Sequence, residues 1–195
     1  MDELWELAWS AWKRGRYATA LAAARRYVGG AAPENRLEGS LLLVKLLAEV
    51  KRFSAAEQVL DGVLEEASGI ADPDFQYAVH VVRGELCKEK GDYVGAEAFF
   101  RKACDYSGEH TAPLIHLGGT LWYQGKLAEA EAAYRRATTV DGDVDEAFEN
   151  LGYVLRAQER NEEALAALRE SLTRDPGNRR VRRAIEDLEA ALAMP

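Results

Sequence analysis

The sequence predicts an all-α protein, an α-solenoid of stacked helix–turn–helix units, and three observations carry that prediction. Ala96, Ala130 and Ala164 recur every 34 residues, and Ala20 and Ala56 sit earlier in the same local phrase; a fixed period of that size marks a repeat array. Around each alanine, apolar residues fall at helical spacing rather than in the alternation of a strand. Five residues before three of the alanines stands a glycine, Gly15, Gly91 and Gly125, suited to a turn that needs positive φ.

The remaining columns justify each element in order. Three residues before the alanines stand Tyr17, Phe53, Tyr93, Leu127 and Asn161, and four residues after them stand Ala24, Leu60, Phe100, Tyr134 and Leu168. Twelve residues before, on the first helix of each unit, stand Ala8, Val44, Gly84, Gly118 and Gly152. In the fourth unit Leu114, Leu117, Leu121 and Trp122 trace one stripe of the first helix, and Leu127, Ala130, Tyr134 and Ala137 the facing stripe of the second. Small residues on both helices, Gly118 and Ala130 there, are expected to let the two backbones approach, where a larger pair would overpack the crossing. Ser107-Gly108, Asp141-Gly142 and Asp175-Pro176 read as stops between units.

The units run over residues 1–34, 37–70, 77–110, 111–144 and 145–178, within a single domain spanning 1–195. An insertion including Ser68-Gly69-Ile70-Ala71-Asp72-Pro73-Asp74 reads as a longer loop before the third unit. After Asn178 a capping helix over 179–193 is expected, with Val181, Ile185, Leu188 and Leu192 facing the array.

Taken together, these columns resemble the tetratricopeptide repeat. The fourth unit carries its signature as Leu114, Leu117-Gly118, Leu121, Ala130, Tyr134, Ala137 and Asp141-Gly142, and the fifth as Phe148, Leu151-Gly152, Leu155, Ala164, Leu168, Ser171 and Asp175-Pro176. Ala8 and Val44 replace the glycine in the first two units, and Arg83 departs from the leucine column of the third. The resemblance implies a concave groove lined by the first helix of each unit, which receives a peptide or partner helix. Carried over column by column, it implies groove residues Trp5, Trp9, Trp12, Lys13, Leu41, Lys45, Val81, Glu85, Lys88, Ile115, Trp122, Tyr123, Tyr153 and Arg156. One subclass of the family grips a C-terminal carboxylate with cationic and amide side chains in these columns; here only Lys45 fits that role.

Trp5, Trp9 and Trp12 form an i, i+4, i+7 stripe. Leu4, Leu7, Ala8 and Ala11 read as the core of the same helix, which leaves the tryptophans as surplus apolar surface of the kind that anchors partners. Trp12 and Trp122 also suit a bracing role against the next unit. On this reading, replacing Trp5 and Trp9 with alanine leaves melting nearly intact. The alternative occupant of the stripe is a second copy of the chain, in a homodimer.

Composition narrows the rest. A net charge of −8 argues against general nucleic-acid binding, since phosphate neutralisation needs basic surface. The arginines between Arg174 and Arg183 read as a solvated cap surface paired with Glu186, Asp187 and Glu189. No stretch has the apolar length to span a bilayer, so no membrane insertion is expected, and the acidic start Met1-Asp2-Glu3 is unlike a secretory signal. The expected location is cytoplasmic. An excess of arginine over lysine with abundant alanine points to a GC-rich bacterial genome. Cys87 and Cys104 read as buried free thiols. His80, His110 and His116 lack the i, i+4 spacing of a helical metal pair, and no glycine loop suits a phosphate. His80 falls in an inward column and reads as a packed structural histidine. The reading is a non-catalytic scaffold with no cofactor or metal, whose partner is a protein or peptide.

Overall fold

The structure, a computed structural model, describes residues 2–66, 72–106, 110–140, 142 and 144–193. Among the described residues there are eleven α-helices and no strand: α1 (Asp2–Lys13), α2 (Tyr17–Gly30), α3 (Pro33–Glu49), α4 (Phe53–Glu66), α5 (Pro73–Glu89), α6 (Tyr93–Tyr106), α7 (Thr111–Tyr123), α8 (Leu127–Ala137), α9 (Val144–Ala157), α10 (Asn161–Arg174) and α11 (Arg179–Leu192). This is the all-α solenoid architecture the period implies. The chain divides into two compact units, Met1–Phe99 and Phe100–Pro195, with the division inside α6.

In the N-terminal unit, α3 is the central element. It packs against α2, α4 and α5, and Leu41, Leu42, Leu43, Val44, Leu46, Leu47 and Ala48 are all buried. A helix apolar around most of its circumference has to be enclosed. Val79, Val82 and Leu86 of α5, with Ala8, Ala20, Ala56, Leu60 and Val63, complete that core. In the C-terminal unit, α9 packs on α7, α8 and α10, and α10 on α11. Leu117, Leu121, Tyr134, Leu151, Val154, Leu155 and Leu168 fill its interior.

The diagnostic alanines, Ala20, Ala56, Ala96, Ala130 and Ala164, are each 0% exposed. The small residue opposite them acts differently in different units. A Cβ on Gly152 would lie 2.6 Å from Leu168 Cγ and 3.2 Å from the Ala164 carbonyl oxygen, so two backbones do approach there. On Gly118 it would lie 2.7 Å from the Tyr134 ring, so that glycine houses an aromatic side chain, not the close backbone expected against Ala130.

All five intra-repeat turns share one geometry. Gly15, Gly91 and Gly125 have φ of 69°, 81° and 75°, and the two units without glycine place Lys51 and Glu159 in the same left-handed region at 59° and 63°. Each turn closes with a bond to a carbonyl five residues back: Arg16 N to Ala11 O, Arg52 N to Leu47 O, Asp92 N to Cys87 O, Lys126 N to Leu121 O and Arg160 N to Leu155 O, at 2.8–3.0 Å. These bonds satisfy carbonyls that a helix end leaves open.

Several expectations are corrected. The helices α3 and α5 each run to 17 residues and begin at Pro33 and Pro73, four residues before the unit bounds expected at 37 and 77. Pro73 and Asp74 therefore belong to a helix, not to a loop; Asp72 is the N-cap, its carboxylate accepting from Asp74 N at 3.2 Å. An acidic cap followed by proline starts a helix. The rest of that insertion, residues 67–71, lies outside the described residues, as do Ser107-Gly108 and Asp141. Leu7, placed in the core by its spacing, is 45% exposed, and Leu192 is 44% exposed because the buried stripe of α11 ends at Leu188, a turn before the helix does. Cys87 and Cys104 are free as expected, but half-buried. Burial pushes both thiols up, which disfavours the reactive thiolate.

One carboxylate of the C-terminal unit is unexpectedly enclosed. Glu131 on α8 is 7% exposed and pairs with Arg135, and with Arg160 at 2.7 Å. Arg135 and Arg160 also pair with Glu163 of α10. Burial pushes the Glu131 carboxyl up, but hydrogen bonds from Arg160 and Gln158 and the charges of Arg135 and Arg160 outweigh it and hold it below its ordinary value.

The turn and the enclosed carboxylate each have a measurable consequence. Glu159 is exposed and its φ is 63°, so Glu159→Gly is expected to raise stability by about 1 kcal/mol in urea unfolding, since only glycine occupies that region without a Cβ clash. Because the folded carboxyl of Glu131 is lowered, its contribution is complete above its ordinary value of 4.5 and disappears as pH falls through the folded value. Glu131→Gln is therefore expected to cost about 1 kcal/mol at neutral pH, and melts of variant and wild type should converge at more acid pH.

Candidate functional site

The N-terminal unit builds an aromatic ladder that starts at a glycine. A Cβ on Gly39 of α3 would lie 2.6 Å from the Tyr27 ring, so the missing side chain is what admits that ring against the helix. Tyr27 is 8% exposed. Trp5 leans on it with centroids 5.2 Å apart, Trp9 meets Trp5 edge-on at 5.9 Å, and Trp12 meets Trp9 at 4.9 Å. All three tryptophans are half-buried against the core of this unit. They are thus not surplus to a complete core: with Leu7 turned outward, they supply much of the packing of α1.

Their outer faces border two cavities. The first, about 260 Å³, is lined by Trp5 and Trp9 of α1, Glu38, Leu41, Leu42 and Lys45 of α3, and Tyr77, Ala78, Val81 and Val82 of α5. Leu41 and Val81, expected as groove residues, are 7% and 8% exposed and line this cavity. Lys45 pairs with Glu85 at 3.0 Å across α3 and α5. Beyond that pair lies a second cavity of about 180 Å³, lined by Trp12, Lys45, Ala48, Glu49, Glu85, Lys88 and Glu89. Trp5, Trp9, Trp12, Leu41, Lys45, Val81, Glu85 and Lys88 are therefore gathered around these two cavities. Lys13 is exposed at the end of α1. The repeat columns do not single out Tyr27 or Gly39; the signal they leave is a glycine inside a leucine-rich helical stretch.

The other expected positions belong to the C-terminal unit. Ile115 is buried, at 9% exposure, Trp122 is half-buried and Tyr123 is 64% exposed. Tyr153 on α9 is half-buried beneath Arg180, whose Cζ lies 5.7 Å from its ring centroid, and Arg156 is exposed in the last turn of α9. Glu149 is 4% exposed, with Arg180 at 2.5 Å from Oε1 and Asn178 Nδ2 donating to Oε2 at 3.0 Å. The ion pairs expected for the cap differ accordingly. Arg169 of α10, not an α11 arginine, takes Glu189; Arg174 pairs with Glu170 within α10; and Arg182 donates to the Pro176 carbonyl oxygen.

His80 lies 6.2 Å from the Phe99 ring, His116 stacks on Phe100 at 5.1 Å, and His110 precedes α7. Among the described residues, no group of three or more His, Cys, Asp or Glu side chains is placed to hold a metal, and no helix is long and apolar enough to cross a membrane.

Comparison with known proteins agrees with this architecture. The tetratricopeptide repeat family model matches residues 117–179. Curated proteins gave no significant match. Among solved structures, the chain is similar to a thermophilic tetratricopeptide repeat protein of Thermus thermophilus, at 17% identity and TM-score 0.71 over 97% of this chain and 98% of that one. It is similar to a tetratricopeptide repeat protein from Parabacteroides merdae at 16% identity and TM-score 0.74, over 95% and 70% of the two chains. It is also similar to YrrB, described as having an unusual peptide-binding site, at 18% identity and TM-score 0.61, over 92% and 88%. Likeness at these identities concerns the fold. With the repeat columns, the helix pairs and the matched segment in agreement, the chain has the fold of tetratricopeptide repeat proteins, and its residues 117–179 match that family's model.

Proposed function

We propose that the protein is a non-catalytic interaction scaffold that receives an apolar side chain of a partner peptide in the cavity between α1, α3 and α5. The observation that supports this is the 260 Å³ space walled by Trp5, Trp9, Leu41, Val81 and Val82. Of its two charged lining residues, Glu38 and Lys45, the lysine is already paired with Glu85 at 3.0 Å, and the other walls are mainly apolar and aromatic, which favours an apolar group. Tryptophan walls give contact area at small entropic cost, as binding anchors do. YrrB, of the same fold, is described as having a peptide-binding site.

Two variants separate binding from folding. Because Trp5 and Trp9 pack against Tyr27 and the core, the double alanine variant is expected to lose about 2 kcal/mol in chemical denaturation as well as binding, where the stripe read as surplus surface would melt unchanged. Ala78 is half-buried on the cavity wall. Ala78→Arg fills the space while its guanidinium reaches water, so melting stays near wild type. Peptides selected from a phage-displayed random library on the wild type are expected to carry a bulky apolar residue and to bind Ala78→Arg at least tenfold more weakly by calorimetry. A library that yields no binder, or selected peptides that bind the variant equally, rules the site out. Concentration-dependent light scattering abolished by Ala78→Arg would assign the cavity to a second copy of the chain instead.

A further inference from the structure

Leu7 is exposed where its equivalents are enclosed. A leucine stands thirteen residues before the repeat alanine in four units. Leu43, Leu117 and Leu151 are 5%, 6% and 6% exposed, whereas Leu7 is 45% exposed. The difference follows from what lies before each helix. α3 packs on α2 and α9 packs on α8, in each case the second helix of the preceding unit. α1 packs on α2 of its own unit, and among the described residues no earlier helix covers its outer side. Leu4 and Ser10, one turn to either side of Leu7, are half-buried.

The same side carries two uncompensated cations. Glu57 and Glu131 each follow a repeat alanine by one residue, on the second helix of their units. Glu57 pairs with Lys90, six residues before the next repeat alanine. Glu131 pairs at 2.7 Å with Arg160, four residues before the next one. Arg14 and Arg16 occupy those two positions before Ala20; both are exposed, and neither side chain has a hydrogen bond or ion pair to a described residue. Arg160 caps α10 and is further neutralised by Glu163. Arg16 caps α2, which has no acid in its first turn, so its charge faces the positive end of the helix dipole. Local acids do not answer these arginines. Residues 7–33 contain Lys13, Arg14, Arg16, Arg25 and Arg26 and no aspartate or glutamate. Glu3 and Glu6 lie about 12 Å or more along α1 from Arg14. Glu49 shares a cavity with Trp12, on the side of α1 turned toward α3.

We infer that the outer side of α1, from Leu4 and Leu7 to Arg14 and Arg16, docks an amphipathic helix of a partner protein that carries a glutamate beside a small apolar stripe. The chain contains the template for this contact. On α8, the fully buried Ala130 stands next to Glu131, and that helix packs on α9, where Leu151 is enclosed. Charge complementarity selects the glutamate, because Arg14 and Arg16 stand where Lys90 and Arg160 each take a carboxylate. The leucine selects a helix with small residues, which can approach closely enough to cover it. α4 and α8, which carry such a glutamate, are already packed within the chain, so a second copy has neither to offer. Leu7 lies about 200° round α1 from Trp5 and from Trp9, and this surface is independent of the tryptophan-walled cavity.

The test uses the full chain and a hydrocarbon-stapled, fluorescein-labelled peptide of the α8 sequence, residues 127–137, read by anisotropy. A second peptide carries Glu131→Gln. Wild type is expected to bind the first about fivefold more tightly than the second. Arg14→Gln with Arg16→Gln is expected to bind both peptides alike, at the weaker affinity, and Leu7→Glu to bind neither. Melting is expected to stay near wild type in these variants, since all three side chains are exposed. Ala78→Arg, which fills the cavity, is expected to bind as wild type. The inference is overturned if wild type binds neither peptide, if it binds both equally, or if Leu7→Glu retains binding. Loss of binding in Ala78→Arg also overturns it, by placing the peptide in the cavity. So does self-association of wild type that Leu7→Glu abolishes, which would give the face to a second copy of the chain.

Discussion

A fully buried methyl group between paired helices is the constraint on which the structure depends. At Ala20, Ala56, Ala96, Ala130 and Ala164 no solvent reaches the side chain. The contact around Gly152 shows how little slack exists, since an added carbon would touch both Leu168 and the Ala164 carbonyl. Close-packed interiors transmit any enlargement to neighbouring atoms. The alanine therefore sets the separation of the helices, and that separation decides which residues lie between them and which are left over. In the N-terminal unit, what remains outside is the outer faces of tryptophans whose inner faces pack on the core.

The turn geometry is the second half of the same constraint. For two helices to lie against each other, the chain must reverse within a few residues, and every intra-repeat turn does so through one left-handed residue and one bond to the carbonyl five residues back. Lys51 and Glu159 adopt that conformation without glycine's freedom. The packing of the two helices outweighs a local steric cost of about 1–2 kcal/mol. Tertiary structure overrides residue preference here, which is why a glycine pattern in three copies describes a turn in five.

Charge placement shows a similar hierarchy. Glu131 and Glu149 occupy interior sites that an apolar residue would fill at lower cost; Glu131 pairs with Arg135 of its own helix and with Arg160 at the N-cap of α10, and Glu149 with Arg180 of α11. Glu131 joins α8 to the start of α10, and Glu149 joins α9 to α11. Such pairs contribute little net stability, but they orient the arginines involved. Arg180 meets Glu149 and lies across the Tyr153 ring, so one arginine that reads along the chain as cap surface bridges α9 and α11.

The period, the helix pairs, the buried alanine column and the left-handed glycines were legible in the sequence because they are repeated, and repetition makes a local physical requirement visible without coordinates. So was the gathering of Trp5, Trp9, Lys45 and Glu85, because the register assigns them to equivalent positions on first helices. What the tertiary structure decided was non-repeating. Leu7 is exposed, whereas Trp5 packs on Tyr27, whose ring sits where Gly39 has no side chain. Proline and aspartate at 72–73 start a helix where spacing alone suggested a loop. Glu149 and Arg180 meet although 31 positions separate them. Each of these depends on a single side chain or a single gap in one copy, and a one-off contact between distant positions leaves no periodic trace in a chain.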